Sequence, residues 1–372
     1  MKEITIERLI SDAKKSLNVS PKAAFLYEQN KEQMLEYVNK KLTEHEKITQ
    51  LIGKNPLEMM YNNHKHHIDF MINVFKLNNY EMLIRIIPWV FKSYHSHGFS
   101  YDYFVVVLET WKKAINKYLP KIEADEINTV YEWILKNHEN MIHLSKKERL
   151  LLSKVSPEWI EIQKKFLSLL LQGDFESCIK LADEVVKSIN DIKNFYIEVL
   201  QPSLYDVGNL WEVGKISVAE EHLASAIVNR IIAHLYTKFT KQKTRKGKVL
   251  ITSTPNEFHE IGSRMVADLL ELEGWEVFYL GANTPKEDVF TMAKKIRPKV
   301  IGISVSMPFN IDKAKDIIEQ LRKDKDLKKI KVLVGGTAFN SFPELWRLIG
   351  ADGWAQNARE AVELLTQWEY DK

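Results

Sequence analysis

The sequence contains a single cysteine, Cys178, among its 372 residues. One cysteine excludes an intramolecular disulfide and any metal site built from CxxC pairs. We therefore expect a protein of the reducing cytoplasm. Cys178 lies in a predicted helical region and is interpreted as a small buried residue.

Long hydrophobic runs and an excess of one charge are also missing. No apolar run approaches the roughly 18 residues that a membrane-spanning helix needs, and the polar N-terminus lacks the apolar core of a signal peptide. Lys and Arg number 53 and Asp and Glu number 50, which gives a formal net charge of +3. Dedicated nucleic-acid binders usually carry a stronger or more localised basic excess. The sequence therefore predicts a cytoplasmic protein without a membrane partner.

Glycine is scarce in the first 150 residues, where only Gly53 and Gly98 occur. Apolar residues recur there at three- and four-residue spacing, and strand-like alternation is missing. This pattern predicts an all-helical N-terminal domain over 1–150. Residues 155–240 predict a four-helix bundle, with Ser217 placed to cap its last helix.

Strand signals begin only at Lys248. Four short β-branched runs, KVLITSTP, EVFYLG, VIGISVSM and KVLVGG, are each followed by a helical stretch, and a weaker fifth run is GWAQ. Strands that alternate with helices predict a parallel sheet covered on both faces. We expect a flavodoxin-like or Rossmann-like five-stranded domain over 248–372, preceded by a basic linker at 240–248. Ligands of such sheets bind at the carboxyl ends of the strands.

Two short segments of this domain, a helix start and a loop, predict specific structures. Thr284-Pro285-Lys286-Glu287 predicts a capping box at the start of a helix. The loop after the first strand, STPNEFHEIGSRM, lacks the GxGxxG of a dinucleotide site. It carries His259, which could ligate a metal while Glu257 holds its other ring nitrogen. The alternative is a histidine that caps the following helix.

The ordered elements of this domain resemble those of cobalamin-binding domains. Glu257-x-His259-x-x-Gly262 is similar to their DxHxxG signature with Glu in place of Asp. Ser304-Val305-Ser306 is similar to their SxL element with its third position changed, and Gly335-Gly336 is similar to their GG element. LGANTP (280–285), which contains Gly281, and GADGWAQNAREAVELL (350–365) are also similar to that family.

The resemblance implies a cobalamin cofactor with His259 as the lower axial ligand of cobalt. It also implies that the nucleotide tail of the cofactor lies in a slot beside the sheet. Gly335 and Gly336 would leave room for the tail, and Ser304 and Ser306 would offer hydroxyl groups to it.

The bundle carries a second motif, in which nine residues separate Trp211 from Glu221-His222. This spacing resembles the signature of light-sensing adenosylcobalamin proteins of the CarH type. The resemblance implies that Trp211 packs on the adenosyl group, that Glu221 hydrogen-bonds it, and that His222 ligates cobalt after photolysis. Val207 and Gly208 belong to the same predicted upper face. The alternative is a core tryptophan beside an exposed Glu-His pair.

The N-terminal part departs from the CarH type, which begins with a winged helix-turn-helix domain. The first 150 residues lack its strand pair and basic recognition helix, so we expect no direct DNA binding. The aromatic segment PWVFKSYHSHGFSYDYF (88–104) predicts either a core at a helix corner or a pocket for a flat ligand. A metal at HKHH (64–67) is disfavoured, because no carboxylate completes a site at helical spacing.

This arrangement resembles the photocobilins, which join a helical domain without DNA-binding activity to a CarH-like module and bind biliverdin. The resemblance implies a second, bilin chromophore here, and no cysteine lies nearby to form a thioether link. The candidate bilin-binding residues are Tyr94, His95, His97, Tyr101 and Tyr103.

We therefore expect a light sensor that is not an enzyme, with adenosylcobalamin between the bundle and the sheet. Photolysis of the cobalt–carbon bond would shift the bundle, and the N-terminal domain or a homodimer interface would pass the change to a downstream partner. The alternatives are a corrinoid methyl carrier of a methyltransferase system and a cobalamin-dependent transcriptional regulator.

Overall fold

The computed structural model describes residues 5–147, 155–239, 246–342 and 344–370. The chain divides into two compact units, one of residues 1–150 and 212–214 and the other of residues 151–211 and 215–372. The predicted boundary near residue 150 and most of the predicted linker at 240–248 lie outside the described residues. The assignment of three functional domains stays a prediction.

The first unit is helical throughout its described part. At the start of its second helix, the Ser20 hydroxyl accepts a hydrogen bond from the Ala23 N–H (3.2 Å), with Pro21 at the first helical position. Asn78, in a left-handed conformation, ends the longest helix of the unit. The helices are α1 (Ile6–Ser16), α2 (Pro21–Gln29), α3 (Lys31–Thr43), α4 (Ile48–Ile52), α5 (Leu57–Leu77), α6 (Tyr80–Ser96), α7 (Asp102–Tyr118), α8 (Lys121–Lys136) and α9 (His138–Ser145).

The second unit begins with a helical bundle. Ser217 caps its last helix as the sequence predicts: its hydroxyl accepts from the Glu220 N–H, and the Glu220 carboxylate accepts from the Ser217 N–H. A π-helical turn at Tyr196–Leu200 separates two of the helices. After a short 3₁₀ helix at Pro157–Trp159, the bundle contains α10 (Ile160–Leu171), α11 (Phe175–Val185), α12 (Ile189–Phe195), α13 (Gln201–Glu212) and α14 (Val218–Thr237).

A five-stranded, wholly parallel sheet follows in the order β2-β1-β3-β4-β5, which confirms the predicted flavodoxin-like arrangement. The predicted capping box at Thr284 is wrong, because the helix begins at Lys286 and no side chain caps it. The elements are β1 (Lys248–Ser253), α15 (Ile261–Leu272), β2 (Glu276–Tyr279), α16 (Lys286–Ile296), β3 (Val300–Ser304), α17 (Ile311–Lys323), β4 (Lys331–Gly335), α18 (Thr337–Ser341), α19 (Leu345–Leu348), β5 (Gly353–Ala355) and α20 (Ala358–Tyr370).

The bundle and the sheet domain share one hydrophobic core. Met265 and Leu269 of α15 are buried in the same cluster as Phe166, Phe195 and Cys178 of the bundle. Burial of each large apolar side chain stabilises such a joint by ~1.5–3 kcal/mol. Because α15 starts directly after the loop that carries His259, this core also anchors the candidate site. Within the described ranges, no helix is both long and apolar enough to cross a bilayer.

Candidate functional site

The loop between β1 and α15 lies at the carboxyl edge of the sheet and is held against the loop after β2. Asn256, whose φ is +61°, donates its N–H to the Asn283 side-chain oxygen at 2.8 Å. In return, the Asn283 N–H donates to the Glu257 carbonyl at 2.8 Å. Asparagine tolerates such left-handed positions better than most residues. The two asparagines therefore fix the backbone on either side of Glu257.

The Glu257 carboxylate is fully buried, and both of its oxygens accept hydrogen bonds. Oε1 accepts from the His259 ring nitrogen Nδ1 at 2.6 Å. Oε2 accepts from the backbone N–H groups of Ser306 and Met307, each at 2.9 Å. The His259 backbone N–H, 3.2 Å from Oε1, and the Asn310 side-chain amide, 3.3 Å from Oε2, add a fourth and a fifth contact. Glu257 thus joins the histidine loop to the loop after β3.

These contacts set the charge and the tautomer of the pair. Burial alone would raise the pKa of Glu257, but the hydrogen bond and charge of His259, with the Met307 and Ser306 N–H groups, hold this pKa below its ordinary value. The hydrogen bond to Glu257 raises the pKa of His259 against the effect of burial. Because a carboxylate only accepts, Nδ1 carries the proton and Nε2 keeps a lone pair for a metal. The His259 side chain is 62% exposed.

Glu221 and His222 lie in the first turns of α14, in the same unit as His259. Their side chains face each other, with His222 Nε2 3.6 Å from a Glu221 carboxylate oxygen. Glu221 also accepts from the Ser225 hydroxyl at 2.7 Å. The charge of Glu221 contributes to the raised pKa of His259, so the fold brings the start of α14 within electrostatic range of the β1–α15 loop. His222 is strongly exposed.

The other predicted upper-face residues lie on α13. Val207 is buried, whereas a side chain built at Gly208 would meet no atom within 4 Å. Trp211 is half-buried one residue before the end of the helix. Exposed apolar side chains also occur on α14 and in the β1–α15 loop: Leu223 is 50% exposed, and Phe258, next to His259 in the sequence, is 69% exposed. Such apolar surface beside a ligand-ready imidazole suits a large, flat, mostly apolar ligand.

Small side chains form a row across the sheet at the height of Ser304. Ser253 pairs with Ser304, Ser304 with Gly335, and Gly335 with Ala355. In-register residues of parallel strands point to the same face, here the face that α15 and α20 cover. The buried hydroxyl of Ser253 has no hydrogen-bond partner among the described residues. A polar group of a bound ligand would satisfy it, so the row fits the predicted tail slot.

The glycines of the site serve different purposes. Gly336 has a φ of +99°, and a Cβ there would lie 2.3 Å from the Val305 carbonyl oxygen, so close backbone packing already requires glycine. A Cβ at Gly335 would lie 3.2 Å from the Ala355 oxygen. Gly281 has a φ of +79°, and Gly262 has open space around it. Room for a ligand is therefore not the main reason for Gly336.

One residue that supports the site, Asn310, had no signal in the sequence, whereas Ser306, predicted for its hydroxyl, also contributes through its backbone. Asn310 is fully buried, and its amide donates to both the Glu257 carboxylate and the Asn256 carbonyl. Its own oxygen accepts from the Lys313 ammonium at 2.7 Å. Ser306 contributes its backbone N–H to Glu257, and its carbonyl accepts from the Thr337 hydroxyl at 3.2 Å. These contacts join residues about fifty positions apart through the pairing of β1 with β3.

The aromatic segment of the first unit divides into cavity-lining and packed residues. Tyr94 and Tyr103 line a cavity. The His95 ring instead stacks on Tyr101, with centroids 4.1 Å apart, and its Nδ1 contacts the Phe99 carbonyl at 3.1 Å. His97 Nδ1 contacts the Ser93 carbonyl at 2.7 Å.

The HKHH segment offers no ligand set for a metal. His64 Nδ1 contacts the Asn39 amide oxygen at 2.6 Å, and its Nε2 contacts the Tyr103 hydroxyl at 2.9 Å. His67 Nε2 contacts the Tyr131 hydroxyl at 3.0 Å. Throughout the part of the chain that the structure describes, no group of three or more His, Cys, Asp or Glu side chains could hold a metal ion.

Comparison with known proteins agrees with this geometry. Two family models described as B12 binding domains match residues 162–236 and 247–363. A dimethylamine corrinoid protein of Methanosarcina acetivorans is 30% identical over 44% of this chain and 76% of its own length. The HTH-type transcriptional repressor CarH of Myxococcus xanthus is 33% identical over 43% of this chain and 52% of its own length.

A solved structure shares the fold of the second unit. The monomethylamine corrinoid protein of Methanosarcina barkeri superposes with a TM-score of 0.50 at 22% identity, over 56% of this chain and 98% of that protein. The helical bundle, the parallel sheet and the matched models agree on one ligand class, a cobalt corrinoid. The chain therefore belongs to the family of corrinoid proteins that bind cobalamin through B12 binding domains.

Proposed function

We propose that this protein is a light sensor that holds adenosylcobalamin between the bundle and the sheet domain. The observation that carries the proposal is the placement of the Glu221-His222 pair within electrostatic range of His259. This proximity supports a single site in which His259 would be the lower ligand and the Glu221-His222 pair would belong to the upper face. The Trp211 spacing, which resembles the CarH type, favours an enclosed adenosyl ligand over an open upper face.

Different residues of the chain would contact different parts of the cofactor. His259 would offer Nε2 to cobalt, while Glu257 keeps the proton on Nδ1. Trp211 would provide a flat apolar wall, and Glu221 would accept hydrogen bonds from a ribose. When bound, adenosylcobalamin supplies a cobalt–carbon bond that visible light cleaves. His222, which is exposed near the start of α14, would be the imidazole available to cobalt in place of the adenosyl group.

A corrinoid methyl carrier is the second candidate function. It is favoured by the 30% identity to a dimethylamine corrinoid protein and by the exposed start of α14, where Val218 and Leu223 are about half exposed. A carrier needs an accessible upper face for methyl transfer. The likeness to CarH keeps a transcriptional regulator as a third candidate. In neither case would the chain be a catalyst in its own right.

We also propose a bilin, biliverdin, as a second chromophore in the first unit. The support is the cavity that Tyr94 and Tyr103 line. The cavity measures about 80 Å³, well below the ~300–1,000 Å³ of pockets that bury a drug-sized ligand. It would therefore take one ring of the bilin.

Absorption spectra of the protein loaded with adenosylcobalamin test the main proposal. We expect green light to bleach the wild-type spectrum, and Trp211→Ala to lower retention of adenosylcobalamin without changing retention of methylcobalamin. A carrier would respond differently: Trp211→Ala would leave adenosylcobalamin retention unchanged, and a partner methyltransferase would turn over the methyl form. A shift of operator DNA in a gel, different in dark and light, would favour the regulator.

A further inference from the structure

The first unit contains a cavity between α5, α6, α7 and α8 that the cobalamin site does not use. Its walls are mainly apolar and aromatic, and the rings of Phe91 and Phe104 stack there with centroids 3.8 Å apart. A volume of about 80 Å³ exceeds the roughly 10–15 Å³ that one water molecule needs. An unfilled cavity of this size forfeits dispersion contacts in an otherwise close-packed core.

The lining of the cavity is uncharged, since it contains no Asp, Glu, Lys or Arg side chain. His64 and His67 are neutral at pH 7, because burial lowers the pKa of His64 to about 3 and that of His67 to about 4. Both ring nitrogens of His64 already have partners in Asn39 and Tyr103. A charged ligand would therefore find no counter-charge here.

One buried polar group of the lining is left without a partner among the described residues. Trp111 is fully buried, and its indole N–H has no acceptor. Buried tryptophan N–H groups usually find one. Trp133 of α8 illustrates the usual case, because its N–H donates to an Asp12 carboxylate oxygen at 2.8 Å. An acceptor on a ligand would complete the cavity.

We propose that this cavity binds a flat, uncharged, conjugated ring that carries a carbonyl group, with the Trp111 indole N–H as the donor to that carbonyl. The aromatic side chains would pack against the ring. Such a ring could belong to a small free compound or to the lactam end of a bilin. For the second source, the inference rests on the proposed bilin function.

γ-Pyrone and toluene test the inference, because the two single-ring molecules have nearly the same shape and only γ-pyrone has a carbonyl. Binding to the full chain is measured by calorimetric titration. We expect Trp111→Phe to weaken γ-pyrone roughly fivefold, the effect of one neutral hydrogen bond, and to leave toluene unchanged. Trp133→Phe is the matched control and should change neither affinity. Loss of both ligands to the same extent in Trp111→Phe would contradict the proposed donor.

A second variant guards against misfolding of the first. Val107→Phe, which fills the cavity while Trp111 stays in place, should weaken both ligands. Unchanged binding of both ligands would place them elsewhere on the protein and overturn the inference.

Competition with biliverdin separates the two sources. Displacement of γ-pyrone by biliverdin, with weaker biliverdin binding in Trp111→Phe, supports a bilin ring in the cavity. γ-Pyrone binding without such competition supports a small free compound and overturns the bilin proposal alone. Bleaching of bound adenosylcobalamin is measured separately, so failure of the cavity and failure of the light sensor are distinguishable.

Discussion

Replacement of Glu257 by glutamine tests the proposed role of His259 as a ligand of cobalt. The buried carboxylate accepts from His259 Nδ1 on one oxygen and from the Ser306 and Met307 N–H groups on the other. Glutamine has nearly the same shape but offers one acceptor and one donor. The single amide oxygen can therefore accept either from the imidazole or from the two backbone N–H groups, but not from both.

The energies of the two arrangements decide the outcome. If the amide oxygen faces His259, the amide NH₂ meets two backbone donors, and each buried donor left without an acceptor costs ~1–3 kcal/mol. If the oxygen faces the backbone, the NH₂ donates to Nδ1 and the imidazole proton moves to Nε2. The second arrangement leaves only the His259 backbone N–H, 3.2 Å from Oε1, without its acceptor. It loses fewer hydrogen bonds than the first arrangement and should dominate. Nε2 then carries a proton and has no lone pair for a metal.

The absorption spectrum of the cobalamin-loaded protein in the dark reports whether the lower ligand is coordinated. We expect Glu257→Gln to lose that coordination, with a modest change in the free energy of unfolding. Glu257→Asp should keep it, because an aspartate also only accepts. Glu276→Gln, at an exposed position on β2, is the control for loss of a charge. Coordination in Glu257→Gln equal to that of the wild type would refute the reasoning.

Three further predictions concern stability and the upper face. Gly336→Ala should destabilise the fold by more than ~2 kcal/mol in urea unfolding, since the φ of Gly336 is +99° and a Cβ would lie 2.3 Å from the Val305 carbonyl oxygen. Gly208→Ala, in open space on α13, should instead stabilise the fold by up to ~1 kcal/mol. Equal effects of the two substitutions on the free energy of unfolding would contradict the packing argument. Burial lowers the pKa of His64 to about 3 in the folded protein. The unfolded chain therefore binds a proton at His64 below about pH 6.5 and the folded protein does not, so the free energy of unfolding falls as the pH drops below about 6.5. Between pH 7 and pH 5 this amounts to ~2 kcal/mol, and the pH-dependence of His64→Gln should be smaller by that amount, whereas identical profiles would show that His64 is not buried. Trp211→Ala should release adenosylcobalamin faster than hydroxocobalamin, and equal release rates would remove Trp211 from the adenosyl group.

The strands and the His259 loop were predictable because their signals are local. Four β-branched runs, separated by helical periodicity, define β1 to β4, and the fifth strand is three residues long as its weak signal suggests. Glu257 and His259 lie two positions apart in one loop, so sequence spacing alone suggested their contact. The Thr284 box failed because Pro285 takes the N-cap position itself and α16 starts one residue later.

Contacts across the fold were not predictable. Asn310 reaches Glu257 only because β1 pairs with β3. In the first unit, the aromatic segment 88–104 drew attention to Tyr94 and Tyr103. The polar side of the same cavity comes from α5 and from Trp111 of α7, which helix packing brings together. The sequence suggested that Gly336 leaves room for the nucleotide tail of the cofactor. In the structure, the close approach of Gly336 to the Val305 carbonyl oxygen already requires glycine.

The proposed light sensor requires that light act on adenosylcobalamin held by this chain. The most direct test is the absorption spectrum of the adenosylcobalamin-loaded protein before and after green illumination, with a protein sample kept in the dark as the control. The proposal predicts rapid bleaching to a new stable spectrum whose form changes in His222→Ala. A spectrum unchanged by light, in a protein that demonstrably holds the cofactor, would contradict it.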